Sequence, residues 1–408
     1  MKVSLPFGKE NITLDIPEDN LLGILTPTPL TKKEIPVDVK KLNESLRVFL
    51  GNTKKILIIV NDYTRPTPTA EIISLIEPVI KDLDFRIIIA CGAHSAPTAQ
   101  QLIQILDNYA EVYKDRVLIH NAKDTTQLKF LGKTRRGTPV WMNQALWEAD
   151  KIIAINSVEP HYFAGFTGGR KSFLPGIAGI ESITANHKLA LQPEAKTLAL
   201  NGNPVHEDMT EIAKMVPREI FSIQIVIDDK HQVYSIHYGD IFDSFANAVE
   251  DTKKIFCVPV KEKADIVLAL IQAPYDINFY QSQKAIENAK LALKEKGILI
   301  VVSKCREGVG DDDFIKVIAE NKNLQQTMEK INKDFKLGYQ KAAKLVDLLR
   351  WAEIWTVMPI DEKIIQSVFM NPFSDINQAL QQALKTKGKQ ARVLILPDAS
   401  LTVPLLKY

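Results

Sequence analysis

The chain has 408 residues, 46% hydrophobic and 25% charged, with 51 Lys and Arg against 49 Asp and Glu for a formal charge of +2. That balance, without a dense basic tract, argues against a nucleic-acid partner, and the composition is that of a globular protein rather than a disordered one. No apolar run approaches the roughly 20 residues that span a bilayer, and the N-terminus alternates like a strand instead of carrying a signal segment, so no membrane partner and a cytoplasmic location are expected. Cys91, Cys257 and Cys305 form no CxxC, which leaves neither a disulfide frame nor a thiolate zinc site.

A chain of this length is expected to hold two or three domains, each able to bury a core. Lys2 to Leu5 and Ile12 to Ile16 read as a strand pair, Thr26 to Pro36 as a Pro-rich connector, and Val37 to Leu50 as a helix. From Lys54 the pattern becomes repeated α/β units. KILIIV (55–60) is a strand, NDYTRPTPT a loop and AEIISLIEPVIKDL a helix; FRIIIA (85–90), CGAHSAPT and AQQLIQILDNYAEVY repeat those roles. RVLIHNA (116–122) and KIIAINSV (151–158) add two apolar strands, separated by a polar stretch and a short amphipathic segment near Trp141 to Trp147. Parallel strands with crossover helices are the economical reading.

Further on, Asn203 as N-cap and Pro204 in the first turn open a helix. FSIQIVIDD and HQVYSIHYG read as a hairpin about a turn at Asp228 to Lys230. A second α/β set starts near Phe256: KADIVLALIQ as strand, QSQKAIENAKLALKEKG as helix, GILIVVSKC as strand, a helical region from Asp312 to Ala352, the strand IWTVMP, a helix from Asp375 to Lys385 and the strand ARVLILPD. The expected fold class is therefore α/β: two α/β domains with largely parallel sheets, residues 1–255 and 256–408, the extreme C-terminus packing back on the first. Two such sheets facing one another would place the active site in an interdomain cleft.

The least regular stretch concentrates the most chemistry. His161 to His187, HYFAGFTGGRKSFLPGIAGIESITANH, holds two histidines, an Arg-Lys pair and five glycines between a strand and a helix near Ile180 to Leu191. Such a passage lets backbone N–H groups approach a phosphate, helped by the helix dipole, and reads as an anion cradle bearing reactive side chains.

Other polar residues sit just past the carboxyl ends of expected strands, where open α/β sheets bind ligands. They are Asp62, Thr64 and Arg65; His94; His161; Tyr280, Gln281 and Lys284; and Lys304 with Arg306. Each has a structural alternative. Asp62 and Arg65 also fit a loop ion pair with Asp62 in an Asx turn, His94 a satisfied loop histidine, Lys284 a solvated helix lysine, and Cys305 the end of a buried strand. His206-Glu207 is a helix start rather than a zinc motif, because Thr210 stands where HExxH needs its second histidine. Two neutral histidines in one cleft suit reversible proton transfer near pH 7, a third could ligate a metal, and Arg65 with Lys284 would hold a carboxylate. That is the outline of an enzyme acting on a small acid.

DYTRP (62–66), GAH (92–94), EPHYFAGFTGGRKSFLPGIAG (159–179), NH (186–187), GNPVHEDM (202–209) and YQSQKAIENA (280–289) occur in one order. A lone GGRK would be weak; this ordered set, spread over roughly residues 55 to 310, resembles the nickel-dependent lactate racemase family. The resemblance implies two α/β domains with the active site between them and a nickel pincer nucleotide, a pyridinium mononucleotide whose sulfur-bearing arms grip nickel through sulfur, carbon and sulfur. On this carry-over Lys171 forms the covalent link, and His187 completes nickel's roughly square-planar coordination. Asp62, Thr64 and the Gly168-Gly169 backbone would hold the nucleotide. His94 and His161 match the two general bases; Arg65, Gln281 and Lys284, with Tyr280 beside them, match the substrate-positioning set. The implied activity is racemisation of lactate or a lactate-like 2-hydroxy acid by reversible hydride transfer, with a histidine on each side of the substrate. An epimerase of a longer polyhydroxy acid is the alternative within the family, and a non-catalytic nucleotide-binding protein the alternative outside it. Separate maturation enzymes would make and install the cofactor, so that a chain produced without them would lack it. Trp351 and Trp355 are candidates for the family's pocket aromatic.

Overall fold

KILIIV forms the strand Lys55–Asn61, whose residues from Ile56 to Val60 are at most 2% exposed. A strand apolar on both faces belongs inside a parallel sheet covered by helices on either side. The computed structural model describes residues 1–27, 37–228 and 232–406, which divide into two units: residues 37–254, and residues 1–27 with 255–406.

In the unit of residues 37–254 the sheet runs Val233–Gly239, Glu219–Ile227, Lys151–Ser157, Lys55–Asn61, Asp84–Ala90, Val117–Ile119. Every neighbouring pair is parallel except the hairpin at the first edge. Ile58, Ile87 and Ile153 of the sheet pack with Ile72 and Ile76 of the helix Thr69–Ile80. Burial of each such side chain stabilises by about 1.5–3 kcal/mol. Thr98 and Gln101 cap the helix Ala99–Leu106 reciprocally. The helix expected to run on through Tyr113 breaks at Asp107, which takes φ +49°. RVLIHNA contributes only Val117–Ile119, at the sheet edge. Two elements escaped the sequence pattern: an antiparallel pair of Leu128–Lys133 with Pro139–Asn143, and the 16-residue helix Ile241–Phe256.

The other unit has its own six-stranded sheet, in the order Asn371–Phe373, Glu353–Val357, Leu293–Val302, Ala264–Leu270, Val393–Leu396, Leu21–Ile24, with parallel pairs throughout. The N-terminal strands therefore do not join the domain that follows them in sequence. Leu21–Ile24 extends this sheet beside Val393–Leu396, and Val3, Leu5, Leu14 and Ile16 of the strand pair Lys2–Phe7 and Glu10–Asp15 pack on its core with Leu268 and Ile300. The extreme C-terminus likewise stays with this unit, Val403–Leu406 pairing with Cys257–Val260. The helix expected over QSQKAIENAKLALKEKG ends at Ala289; after a short 3-10 turn Leu293 pairs with Ala264, and sheet pairing overrides local helix propensity. The long helical region resolves into Asp312–Ala319, Leu324–Lys333 and Tyr339–Leu349. The connector beyond Pro27 and the hairpin turn beyond Asp228 lie outside the described residues. Among those residues no helix is long and apolar enough to cross a membrane.

Candidate active site

Three neighbouring parallel strands, Lys151–Ser157, Lys55–Asn61 and Asp84–Ala90, end in the loops that carry His161, Asp62 with Arg65, and His94. Asp62 is buried. Its Oδ1 accepts the Thr64 N–H at 3.2 Å and the Thr64 hydroxyl at 2.6 Å, and its Oδ2 lies 2.6 Å from His94 Nδ1. Burial acts to raise the Asp62 carboxyl, but the hydrogen bond and charge of His94, the Thr64 hydroxyl and the Arg65 charge together hold it below its ordinary value. An ionised carboxylate only accepts, so His94 Nδ1 carries a hydrogen, and in the neutral ring the lone pair is the one on Nε2. With 54% of its side chain exposed, the ring is open to a reactant. The His94 loop docks on the Gly-rich segment. Gly92, at φ +54°, donates its N–H to the Gly176 carbonyl at 2.9 Å, and a Cβ there would meet Pro175 at 3.2 Å.

The Asx turn expected at Asp62 is present, but its ionic partner is His94. Arg65 turns instead to Glu159, with Nη1 3.8 Å from Oε2. A cavity of about 150 Å³ opens beside Asp62 and Arg65, bounded also by Tyr63, Thr67 and Gln104.

His161 lies in a tight ribbon in which Pro160–His161 pairs with Gly165–Phe166. Gly165 makes the ribbon possible, since at φ +75° a Cβ would stand 2.1 Å from the Ala199 carbonyl oxygen. His161 Nδ1 accepts the Ala164 N–H at 3.3 Å, so its neutral ring carries hydrogen on Nε2, opposite to His94. The ring stacks on Tyr162 at 5.1 Å and meets Phe163 edge-on at 4.6 Å. Phe163 also meets His187 at 5.0 Å, and Lys171 Nζ lies 5.7 Å from its centroid. Phe163 is thus the common neighbour of three candidate residues, and its place inside the Gly-rich block was the only sequence signal for it.

The anion-cradle reading needs revision in detail. Arg170, fully buried, turns inward and donates to the carbonyls of Ala164 (2.7 Å), Phe166 (2.9 Å) and Gly168 (3.1 Å), with Phe245 stacked 4.4 Å away. Burial alone pulls its guanidinium down to about 9. The Gly169 N–H is donated to Gln224 Oε1 at 2.9 Å, and a Cβ on Gly168 would stand 2.6 Å from Val158 Cγ2. These glycines serve close packing, and Arg170 pins the loop from within.

His187, on the helix Ile180–Lys188, is 9% exposed. Burial first, then the charges of Lys171 and His94, lower its pKa to about 3 against the opposing Ile183 carbonyl. It is therefore a neutral imidazole at physiological pH, the form that ligates metals, and its Nδ1 is buried without a hydrogen-bond partner. Among the described residues no three His, Cys, Asp or Glu side chains cluster as a metal site. The donor set here is one imidazole beside a lysine amine, which fits a metal that arrives with its remaining donors already attached. The remaining described histidines have structural partners: His120 the Ala178 carbonyl at 3.0 Å, His237 Asp251 at 2.8 Å, and His206 the Phe245 ring at 6.2 Å.

In the second unit Tyr280, Gln281 and Lys284 share the helix Phe279–Ala289, which follows Ala264–Leu270 and is capped by Asn278 accepting from the Gln281 N–H at 2.9 Å. Burial, with the Asp311 charge, pushes the Tyr280 hydroxyl up to about 12. Lys341 Nζ lies 3.5 Å from the centre of its ring and 2.7 Å from its carbonyl. Gln281 is exposed, whereas Lys284 donates to the Tyr275 hydroxyl at 3.0 Å and is not merely solvated. Arg306 pairs with Asp276 at 2.8 Å, Lys304 sits 5.2 Å from the Phe7 ring, and Cys305 is buried, all structural contacts. Trp355 stacks on Phe373 at 4.9 Å within the hydrophobic core, which removes it as a pocket aromatic.

Comparison with known proteins matches residues 7–198 to the lactate racemase N-terminal domain and residues 260–403 to the lactate racemase C-terminal domain. The chain is 29% identical over 423 residues to the lactate racemase of Thermoanaerobacterium thermosaccharolyticum, covering 97% of each chain. It is 28% identical over 419 residues to that of Lactiplantibacillus plantarum, covering 97% of this chain and 98% of the other. Among solved structures, the lactate racemase apoprotein from T. thermosaccharolyticum aligns with a TM-score of 0.89 at 28% identity, over 99% of this chain and 100% of that one. A Thermotoga maritima protein aligns with a TM-score of 0.68 at 18% identity, over 92% and 100%, a likeness of fold alone.

Proposed function

Because the chain belongs to the lactate racemase family, we propose that it interconverts the enantiomers of lactate or of a small 2-hydroxy acid like it. The observation that carries this reading is the His94–Asp62 contact of 2.6 Å, which engages Nδ1 and leaves Nε2 directed away from the carboxylate partner. His161, from the next loop but one, is the second histidine. Enantiomers present their hydroxyls on opposite sides, so each histidine holds or moves the hydroxyl proton for one of them. Arg65 takes the substrate carboxylate, its planar fork suited to two oxygens, and Gln281, Lys284 and Tyr280 are assigned to the same substrate.

The cofactor assigned is a nickel pincer nucleotide, which when bound supplies an acceptor for the hydride at C2 and returns it. Lys171 would hold it covalently, His187 would ligate the nickel through its neutral ring, and Asp62, Thr64 and the Gly168-Gly169 backbone would line the nucleotide. The buried, unpartnered Nδ1 and the depressed pKa of His187 support a metal at this ring, while the engaged Gly169 N–H leaves less of that backbone for a phosphate. The Phe163 ring keeps His161, Lys171 and His187 together against one apolar surface.

The test is co-expression with the cofactor-synthesis enzymes, then nickel analysis and a chirality assay over 2-hydroxy acids from lactate to longer sugar acids. Near-stoichiometric nickel with racemisation of the lactate-like acids is the expected result. Turnover confined to the longer acids would favour epimerisation, and loaded protein inert on the whole panel would overturn the reading.

A further inference from the structure

We propose that Glu159 is a positioning residue that sets the spacing between Arg65 and His161, an inference that rests on the racemase reading above. The Glu159 side chain is 6% exposed, and Arg65 Nη1 lies 3.8 Å from its Oε2. A buried carboxylate needs a compensating charge, and Arg65 provides one. The Glu159 backbone is pinned to the Gly-rich loop: its N–H donates to Thr167 Oγ1 at 2.8 Å, and its carbonyl accepts the Thr167 N–H at 2.8 Å. This pairing continues the ladder in which Pro160 faces Phe166 and His161 faces Gly165. In extended chain, residues two apart project to the same side, so Glu159 and His161 leave the ribbon on one face.

Arg65 comes from another loop, three residues after the Asp62 that holds His94. Its contact with Glu159 is thus a charged link between the loop that orients one histidine and the ribbon that presents the other. That link matters for a 2-hydroxy acid, whose carboxylate and hydroxyl sit on adjacent carbons. A guanidinium holding the first and an imidazole serving the second must keep one spacing, and a misplacement of about 1 Å can lower the rate by about a hundred-fold. A long arginine side chain loses rotamer freedom when ordered, and a fixed carboxylate behind it restrains it before substrate arrives.

The experiment compares the cofactor-loaded protein with Glu159→Gln and Glu159→Asp, each alone and in an Arg65→Lys background. Glu159→Gln should raise KM for both lactate enantiomers by about ten-fold with kcat changed less and nickel content unchanged. Glu159→Asp, which keeps the charge, should recover part of the loss and carries the comparison if the glutamine variant does not fold. Calorimetric binding of 2-methyllactate, which has no C2 hydrogen to transfer, should weaken in parallel. In the Arg65→Lys background the added Glu159 change should have no further effect. An unchanged KM in active Glu159→Gln protein, or the same rise in both backgrounds, overturns the role of Glu159. Nickel-loaded wild-type protein that fails to racemise any acid overturns instead the reading on which it rests.

Discussion

His94 Nδ1 and Asp62 Oδ2 stand 2.6 Å apart, and Asp62 Oδ1 is held in turn by both the N–H and the hydroxyl of Thr64. The carboxylate therefore cannot rotate without breaking three contacts, and it fixes which nitrogen of His94 faces a reactant. Asp62→Asn keeps the shape but offers an amide, which favours the other tautomer. Its kcat per bound nickel should fall by about a hundred-fold or more. If nickel falls in step with activity, Asp62 serves the nucleotide instead of the base.

Lys171→Ala removes the amine beside Phe163 and His187. Intact mass of the variant, co-expressed with the maturation enzymes, should show the bare chain. An adduct of cofactor mass on that variant would contradict the assignment of Lys171.

Arg170→Met tests the loop rather than the chemistry. It removes the guanidinium donors of four carbonyls, those of Ala164, Phe166, Thr167 and Gly168, of which Ala164 and Gly168 keep a backbone donor each from Phe166 and Lys171. Losing these bonds should lower the unfolding free energy in urea by about 3 kcal/mol or more. A loss below about 1 kcal/mol would mean that the loop is held by its glycine packing alone.

His120 gives a pH dependence of known sign. Burial, opposed by the Ala178 carbonyl, lowers its pKa from 6.5 to about 4. The unfolded ring takes a proton before the folded one does, so its contribution is full above pH 6.5 and is lost as pH falls towards 4. The slope from this one group is at most about 1.4 kcal/mol per pH unit. Urea titrations of wild type and His120→Gln should show stability falling less steeply in the variant over that range. Parallel curves would contradict the buried, neutral assignment.

The parts of this fold that could be read from the sequence are those set by local pattern. Ile-rich runs such as 55–60 and 151–158 marked central parallel strands because both of their faces are buried, and Asn203-Pro204 marked a helix start because capping is local. Pairing choices were not local. Leu21–Ile24 carries no mark that it will join Val393–Leu396, and Leu293 left a helix-favouring run because a strand partner, Ala264, was waiting. Within the candidate site, motif positions named Asp62, His94, His161, Lys171 and His187 as candidates. Their partners were hidden, because the inward turn of Arg170, the choice of Glu159 by Arg65 and the central place of Phe163 depend on contacts between loops.

The central claim is racemisation with the C2 hydrogen moving as hydride while His94 and His161 handle only the hydroxyl proton. Its most direct test is L-lactate deuterated at C2, incubated in ordinary water with the cofactor-loaded protein, followed by chiral separation and mass analysis of the product. D-lactate that keeps its deuterium is the predicted result. D-lactate that has exchanged it for hydrogen, or no D-lactate at all, would contradict the account.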